Sequence, residues 1–150
     1  MIGSLLRCER GNSFIEMAFA APLLLVLLTG MVDISRAVSE KLQVVQVAQR
    51  TIERVQRSGY SVGDNATLEA EAEAAAGDGT DATVSAWLEC GSSTTKLSYT
   101  GSCAEGEAYA RFVKISILTN FTPLFGTKYF PGASADGTFT FDGTAGIRVQ

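Results

Sequence analysis

The feature that most constrains this chain is an apolar run that begins at Met17, continues through Val32, and has a single acid, Glu16, at its head. An acidic or basic side chain at the centre of a bilayer costs roughly 2.5–3.5 kcal/mol, and less toward the edge. A carboxylate placed there needs a cation. Cutting the backbone after Gly11 would create one, because the new α-amino group on Asn12 is positively charged and lies four residues before Glu16.

Three readings of the N-terminus follow. An ordinary secretory signal would use Arg7 and Arg10 as its basic region and residues 23–28 as its apolar region. The small-x-small cleavage site is then poor, since the candidate is Leu28-Thr29-Gly30. A plain single-pass anchor is the second reading: residues 14–32 approach the roughly 20 residues needed to span a bilayer. It leaves Glu16 without an account. The third reading, cleavage after Gly11 with the apolar helix retained, accounts for Gly11, Glu16 and the helix together. In the last two, Arg7 and Arg10 stay in the cytoplasm by the positive-inside tendency, and everything after Asp33 faces outward. Pro22 removes one intrahelical hydrogen bond early in the span.

Beyond the run, Ile34, Val38, Leu42, Val45, Ala48, Ile52 and Val55 recur at spacings of three and four, which predicts one face of an amphipathic continuation. Gly59 supplies the stop. A helix over residues 13–57 would be about 68 Å long at 1.5 Å per residue. A second helix is expected over residues 66–76, capped by Asp64 or Asn65 and ended by Gly77, with Glu69, Glu71 and Glu73 on a solvated face. The stretch Gly77-Asp78-Gly79-Thr80-Asp81 lacks the spacing and terminal Glu of a calcium loop and reads as a turn.

Alternation predicts strands over residues 83–89, with Val84, Ala86 and Leu88 on one side, and over residues 109–119, with Val113, Ile115 and Ile117 on one side. Trp87 reads as a half-buried packing residue. Residues 123–137 read as an irregular link. Asp142-Gly143, between Thr138-Phe139-Thr140-Phe141 and residues 144–149, is a short hairpin signal. Cys8 precedes Gly11, while Cys90 and Cys103 flank a polar loop, as a disulfide stapling two antiparallel strands would require. The expected fold is α+β: a leader at 1–11, a long helix at 12–58 whose first half spans the membrane, and a small head at 59–150 with a short second helix and an antiparallel sheet.

The chemistry read from composition is not catalytic. The 150 residues contain no His, which removes the commonest general base and metal ligand. No nucleophile–base pair, phosphate-binding glycine loop or Cys-x-x-Cys is present, so neither an enzyme nor a metal or cofactor site is expected. A net charge of −4, with no basic stripe, does not fit nucleic-acid binding.

The pattern of Gly11, Glu16 and the retained helix resembles the class III signal of type IV pilins and pseudopilins. Gly11, Glu16, Pro22, Gly30 and Asp33 follow in the order found in TadE-family minor pseudopilins of the Flp, or tight-adherence, pilus system. The tail resembles that family too, through Asn120-Phe121-Thr122-Pro123-Leu124-Phe125 and a last strand ending Ile147-Arg148-Val149. Relatives often carry Tyr after the glutamate where Met17 stands here, so the TadE and TadF types both stay open. The resemblance implies a prepilin peptidase cutting between Gly11 and Asn12, and a pairing of the Asn12 amine with Glu16 in its own or a neighbouring subunit. It also implies partners among major and minor pilins and an inner-membrane assembly platform. The expected place is the bacterial inner membrane, single pass, with the head in the periplasm, and after assembly the pilus or cell surface. The expected role is priming or capping of a pilus that supports adhesion. A membrane-anchored periplasmic binding module and a type II secretion minor pseudopilin remain the rival readings. On the cleavage reading, replacing Gly11 blocks processing: mass spectrometry finds Asn12 first in the mature wild-type chain and an uncut N-terminus in the variant.

Overall fold

The computed structural model describes residues 12–124 and 132–149. The elements in chain order are α1 (Asn12–Ser58), α2 (Asn65–Ala76), β1 (Thr80–Cys90), β2 (Leu97–Ser98), β3 (Tyr109–Phe121) and β4 (Phe139–Arg148), with a single 3₁₀ turn at Val62–Asp64 before α2. The fold is α+β, as the sequence predicts. Compactness divides the chain within α1, between Arg36 and Ala37. The two units are therefore described separately.

In the second unit the four strands form one antiparallel sheet in the order β2-β1-β3-β4. The side chains of Ala82, Val84, Val113, Ile115 and Ile117 point to one face, where they meet Val44, Val47, Ala48, Ile52 and Val55 of α1 and Leu68, Ala72 and Ala76 of α2. This is the core. Strand alternation places every second residue there, and helix periodicity does the same for α1.

Each helix end has a local cause. Gly59, at φ 81°, donates its N–H to the Val55 carbonyl at 2.9 Å, and Gly77, at φ 104°, donates to Glu73 at 2.9 Å. Both adopt left-handed or related backbone that a Cβ disfavours. Before α2, the Ser61 N–H donates to Asp64 Oδ2 at 3.0 Å, so Asp64 organises the turn into the helix. Gln43 Nε2 donates to the Ala76 carbonyl at 2.8 Å, satisfying one of the unpaired acceptors at the end of α2.

Three expectations need correction. The helix face is rotated from the predicted one. Ala48, Ile52 and Val55 are buried, but Val38 and Leu42 are 53% and 52% exposed, and Val44 and Val47 take the inward positions. A spacing of four drifts around a helix of 3.6 residues per turn, so a row of i+4 steps leaves the contact line within a few turns.

The Asp142-Gly143 pair makes no hairpin. β4 runs through it as one strand, with Gly143 opposite Ile117 and Asp142 opposite Leu118. The glycine serves a different purpose: a Cβ built there would lie 2.5 Å from the backbone carbon of Val44. It is the point at which α1 touches the sheet backbone. Beside it, Lys41 Nζ donates to the Asp142 carbonyl and lies 3.0 Å from Asp142 Oδ1. This hydrogen bond and the Lys41 charge hold the Asp142 carboxyl below the usual aspartate range.

The third correction concerns α2. Glu71 pairs with Arg54 of α1, but Glu69 and Glu73 are not merely solvated. Glu69 Oε1 accepts the Val84 N–H at 2.7 Å and Glu73 Oε1 accepts the Ala82 N–H at 3.1 Å. Four helical residues rise about 6 Å and two strand residues about 6.6 Å. The two glutamates therefore match the outward N–H groups of β1 one for one, and cover an edge that would otherwise stand open.

Cys90 and Cys103 are joined in a disulfide with Cα atoms 5.6 Å apart. It closes the loop that holds β2, a strand not expected from the sequence. Loop closure of this size stabilises by about 3 kcal/mol in the chain-entropy model. Arg111 anchors the same loop from β3, donating through Nε to the Tyr99 carbonyl at 3.1 Å. The expectation of an irregular link is met at residues 123–124 and 132–137, while residues 125–131, with Pro131, lie outside the described ones.

Two outcomes follow from the α1–β4 contact. Gly143→Val destabilises the full chain by about 1–3 kcal/mol through overpacking, read by urea unfolding in detergent. Gly146→Ala, where the nearest atom to a new Cβ is 3.4 Å away, changes stability by about 0.5 kcal/mol or less. Because the Asp142 carboxyl is depressed in the folded state, its pairing contributes stability that is present above the ordinary aspartate pKa. That contribution is lost as pH falls through the lowered folded value. Lys41→Met removes this acid-side dependence, and NMR titration of Asp142 in the variant returns its pKa toward the ordinary value.

Candidate membrane and assembly segment

The large apolar residues in the first part of α1 are exposed among the described residues. Phe14, Ile15, Met17, Phe19, residues 23–28, Met31 and Val32 are all large, apolar and exposed. By length and composition the helix qualifies as one membrane span, with none of its most apolar window buried within the chain. An exposed surface of this size and character is stable against lipid or against other apolar helices.

The residues singled out from the sequence are arranged along this helix. Gly11 lies outside the described residues. Asn12 opens α1, and Glu16 follows one turn later, exposed and with no ion-pair partner among the described residues. Residues four apart lie on one helix face, so an amine at position 12 and the Glu16 carboxylate share a side of the helix. A carboxylate in the first turns also faces the positive end of the helix dipole.

Pro22 stands inside α1, which continues unbroken past it. Its ring nitrogen has no hydrogen, so the Ala18 carbonyl lacks the donor that helix geometry would give it. Further along, the Thr29 hydroxyl donates to the Leu25 carbonyl at 2.7 Å, which satisfies a polar group inside the apolar run. A Cβ on Gly30 would meet nothing within 4 Å. The glycine is therefore not needed for packing within the chain and offers a place where another backbone can approach. Asp33 sits 3.4 Å from Arg36 and is largely shielded from solvent.

The sequence reading missed one feature of this segment. Val38 and Leu42 are exposed apolar residues on a side of α1 that the core does not use, and Ile34 in the first unit is exposed as well. Their spacing of four was visible. That they lie off the core was not, because the inward line is set by the sheet. Cys90 and Cys103 are brought together, as expected, but on the head and with no part in this segment. Glu107 lies close to their sulfurs, yet sulfurs joined to each other offer no thiolate to a metal.

No curated protein and no solved structure matches the chain. Residues 11–52 match the family model described as TadE-like protein, a segment that is less than a third of the chain. It begins at Gly11, takes in Glu16, Pro22, Gly30 and Asp33, and ends within α1 at Ile52. In the segment that carries the apolar span and the acid at its head, this chain is similar to TadE-like proteins.

Proposed function

We propose that the chain is a minor pseudopilin of a Flp, or tight-adherence, pilus system, a non-catalytic subunit that primes or caps pilus assembly and so supports adhesion. The observation that carries this reading is the exposed apolar stretch of α1 with Glu16 at its start, inside a segment matched by the TadE-like family model.

On this reading the precursor spans the inner membrane once, with the head in the periplasm. A prepilin peptidase removes residues 1–11 and leaves a charged amine on Asn12. That amine and Glu16, on the same helix or on neighbouring helices, form a charge-assisted contact that is strengthened by the apolar surroundings and fixes register. Extraction into the pilus exchanges lipid for the helices of other subunits. Gly30 offers them a close approach, and Ile34, Val38 and Leu42 extend the apolar seam past the membrane boundary. Major and minor pilins and the inner-membrane assembly platform are the partners this requires.

Counting pili by electron microscopy, with the N-terminus read in the same strains, tests the proposal. Glu16→Ala leaves cleavage largely intact and reduces piliation at least tenfold. Wild-type pili in that strain rule out the pairing. A mature chain that still begins at Met1 leaves only an anchored periplasmic module, and one that starts near Met31 indicates an ordinary signal peptide.

A further inference from the structure

A carboxylate is held beside the disulfide by the turns on either side of it. Ala104 to Glu107 form a turn in which the Glu107 N–H donates to the Ala104 carbonyl at 3.1 Å and Gly106 takes φ 80°. A positive φ at the third residue of such a turn suits glycine. Gly91 follows β1 at φ 59° and donates its N–H to the Ala108 carbonyl at 2.7 Å. The Glu107 side chain lies over this glycine, where a Cβ would stand 2.6 Å from Glu107 Oε1. The carboxylate is within 4.8 Å of both the Cys90 and the Cys103 sulfur. It has no hydrogen-bond or ion-pair partner among the described residues.

A cleft of about 290 Å³ opens at the same place, lined by Leu88, Gly101, Cys103, Glu107, Tyr109 and Arg111 among others. Cys103 is part of its wall and Cys90 is not. The cation in that wall is engaged. Arg111 donates to the Tyr99 carbonyl at 3.1 Å and to the Gly101 carbonyl at 3.5 Å, and lies over the Tyr109 ring. Thiol–disulfide exchange depends on which sulfur can be reached and on how readily the other leaves as a thiolate. A carboxylate beside a sulfur opposes a thiolate there and repels an anionic attacker.

We infer that the Cys90–Cys103 bond is a thiol-exchange site, entered through Cys103 and guarded by Glu107. A thiolate from outside attacks Cys103 Sγ and forms a new S–S bond there. The bond to Cys90 breaks, and Cys90 Sγ leaves with the electron pair and takes a proton from water. A second thiolate attacks the outer sulfur of the mixed disulfide, and Cys103 Sγ leaves in the same way. Two thiols are oxidised to one disulfide, and the cysteine pair is reduced. Glu107 slows the first step through both the attacker and the leaving sulfur, so anionic thiols are held off more than cationic ones. The loop this opens carries β2 and Tyr99, whose ring meets that of Tyr60 edge-on at 4.9 Å. Lys96, 4.2 Å above the Trp87 ring, belongs to the same loop. The site is on the head and does not depend on cleavage after Gly11.

The test uses the full chain in detergent micelles, with Cys8→Ser so that no third thiol competes. The probes are anionic mercaptoethanesulfonate, neutral mercaptoethanol and cationic cysteamine. Acid quenching and peptide mapping place the first adduct on Cys103 and the freed thiol on Cys90, and the fluorescence of Trp87, the single tryptophan, changes at the same rate. Glu107→Gln, at an exposed side chain with no bond to lose, raises the mercaptoethanesulfonate rate about fivefold or more and the cysteamine rate by less. A first adduct on Cys90, or rates unchanged by Glu107→Gln for all three thiols, overturns the inference. So does exchange no faster than global unfolding, read from amide exchange at Ile115 and Ile117, since the cleft would then give no access to the folded head.

Discussion

The approach of α1 to the sheet at Gly143 is the constraint on which the head depends. A helix backbone can come this near to a strand only where the strand has no side chain. Once α1 is seated there, Val44, Val47, Ala48, Ile52 and Val55 fall over Ile115, Ile117 and Val113, and the core closes. Lys41 is then within reach of Asp142, and Gln43 within reach of the end of α2. The polar contacts of Lys41 and Gln43 depend on this approach, because neither has a fixed geometry until the helix is placed.

The same seating fixes which side of α1 is left over. Val38 and Leu42 are turned away from the core and left 53% and 52% exposed. A soluble domain would suffer from this exposure. A subunit that moves from lipid to a bundle of like helices would need it. The helix thus does two jobs with different faces: a narrow inward stripe for the head and an all-round apolar surface nearer the N-terminus.

Much of this was legible in the residues. The limits of α1 and α2 could be read because Gly59 and Gly77 end periodic segments, and β1 and β3 could be read from Val84, Ala86 and Leu88 and from Val113, Ile115 and Ile117. The pairing of Cys90 with Cys103 followed from their position around a polar connection. The candidate segment was legible too, since Gly11, Glu16, Pro22, Gly30 and Asp33 carry a linear pattern, and the family match covers that stretch. Where the reading failed, the residues had two uses. Asp-Gly favours a tight turn when the chain is free to reverse, yet here the glycine is spent on helix contact and the aspartate on Lys41. Glutamates on a short helix look solvated until an open strand edge is placed beside them.

The sequence by itself determined the apolar span, the lone acid at its head, the periodic segments and the disulfide candidates. These depend on neighbours along the chain, on hydropathy and on the spacing set by helix and strand geometry. Only the tertiary structure decided which helix line faces inward, that β4 passes straight through Asp142-Gly143, and that one sheet edge is covered by Glu69 and Glu73. Those outcomes are set by contacts between residues far apart in the chain, and no local pattern encodes which distant backbone will arrive.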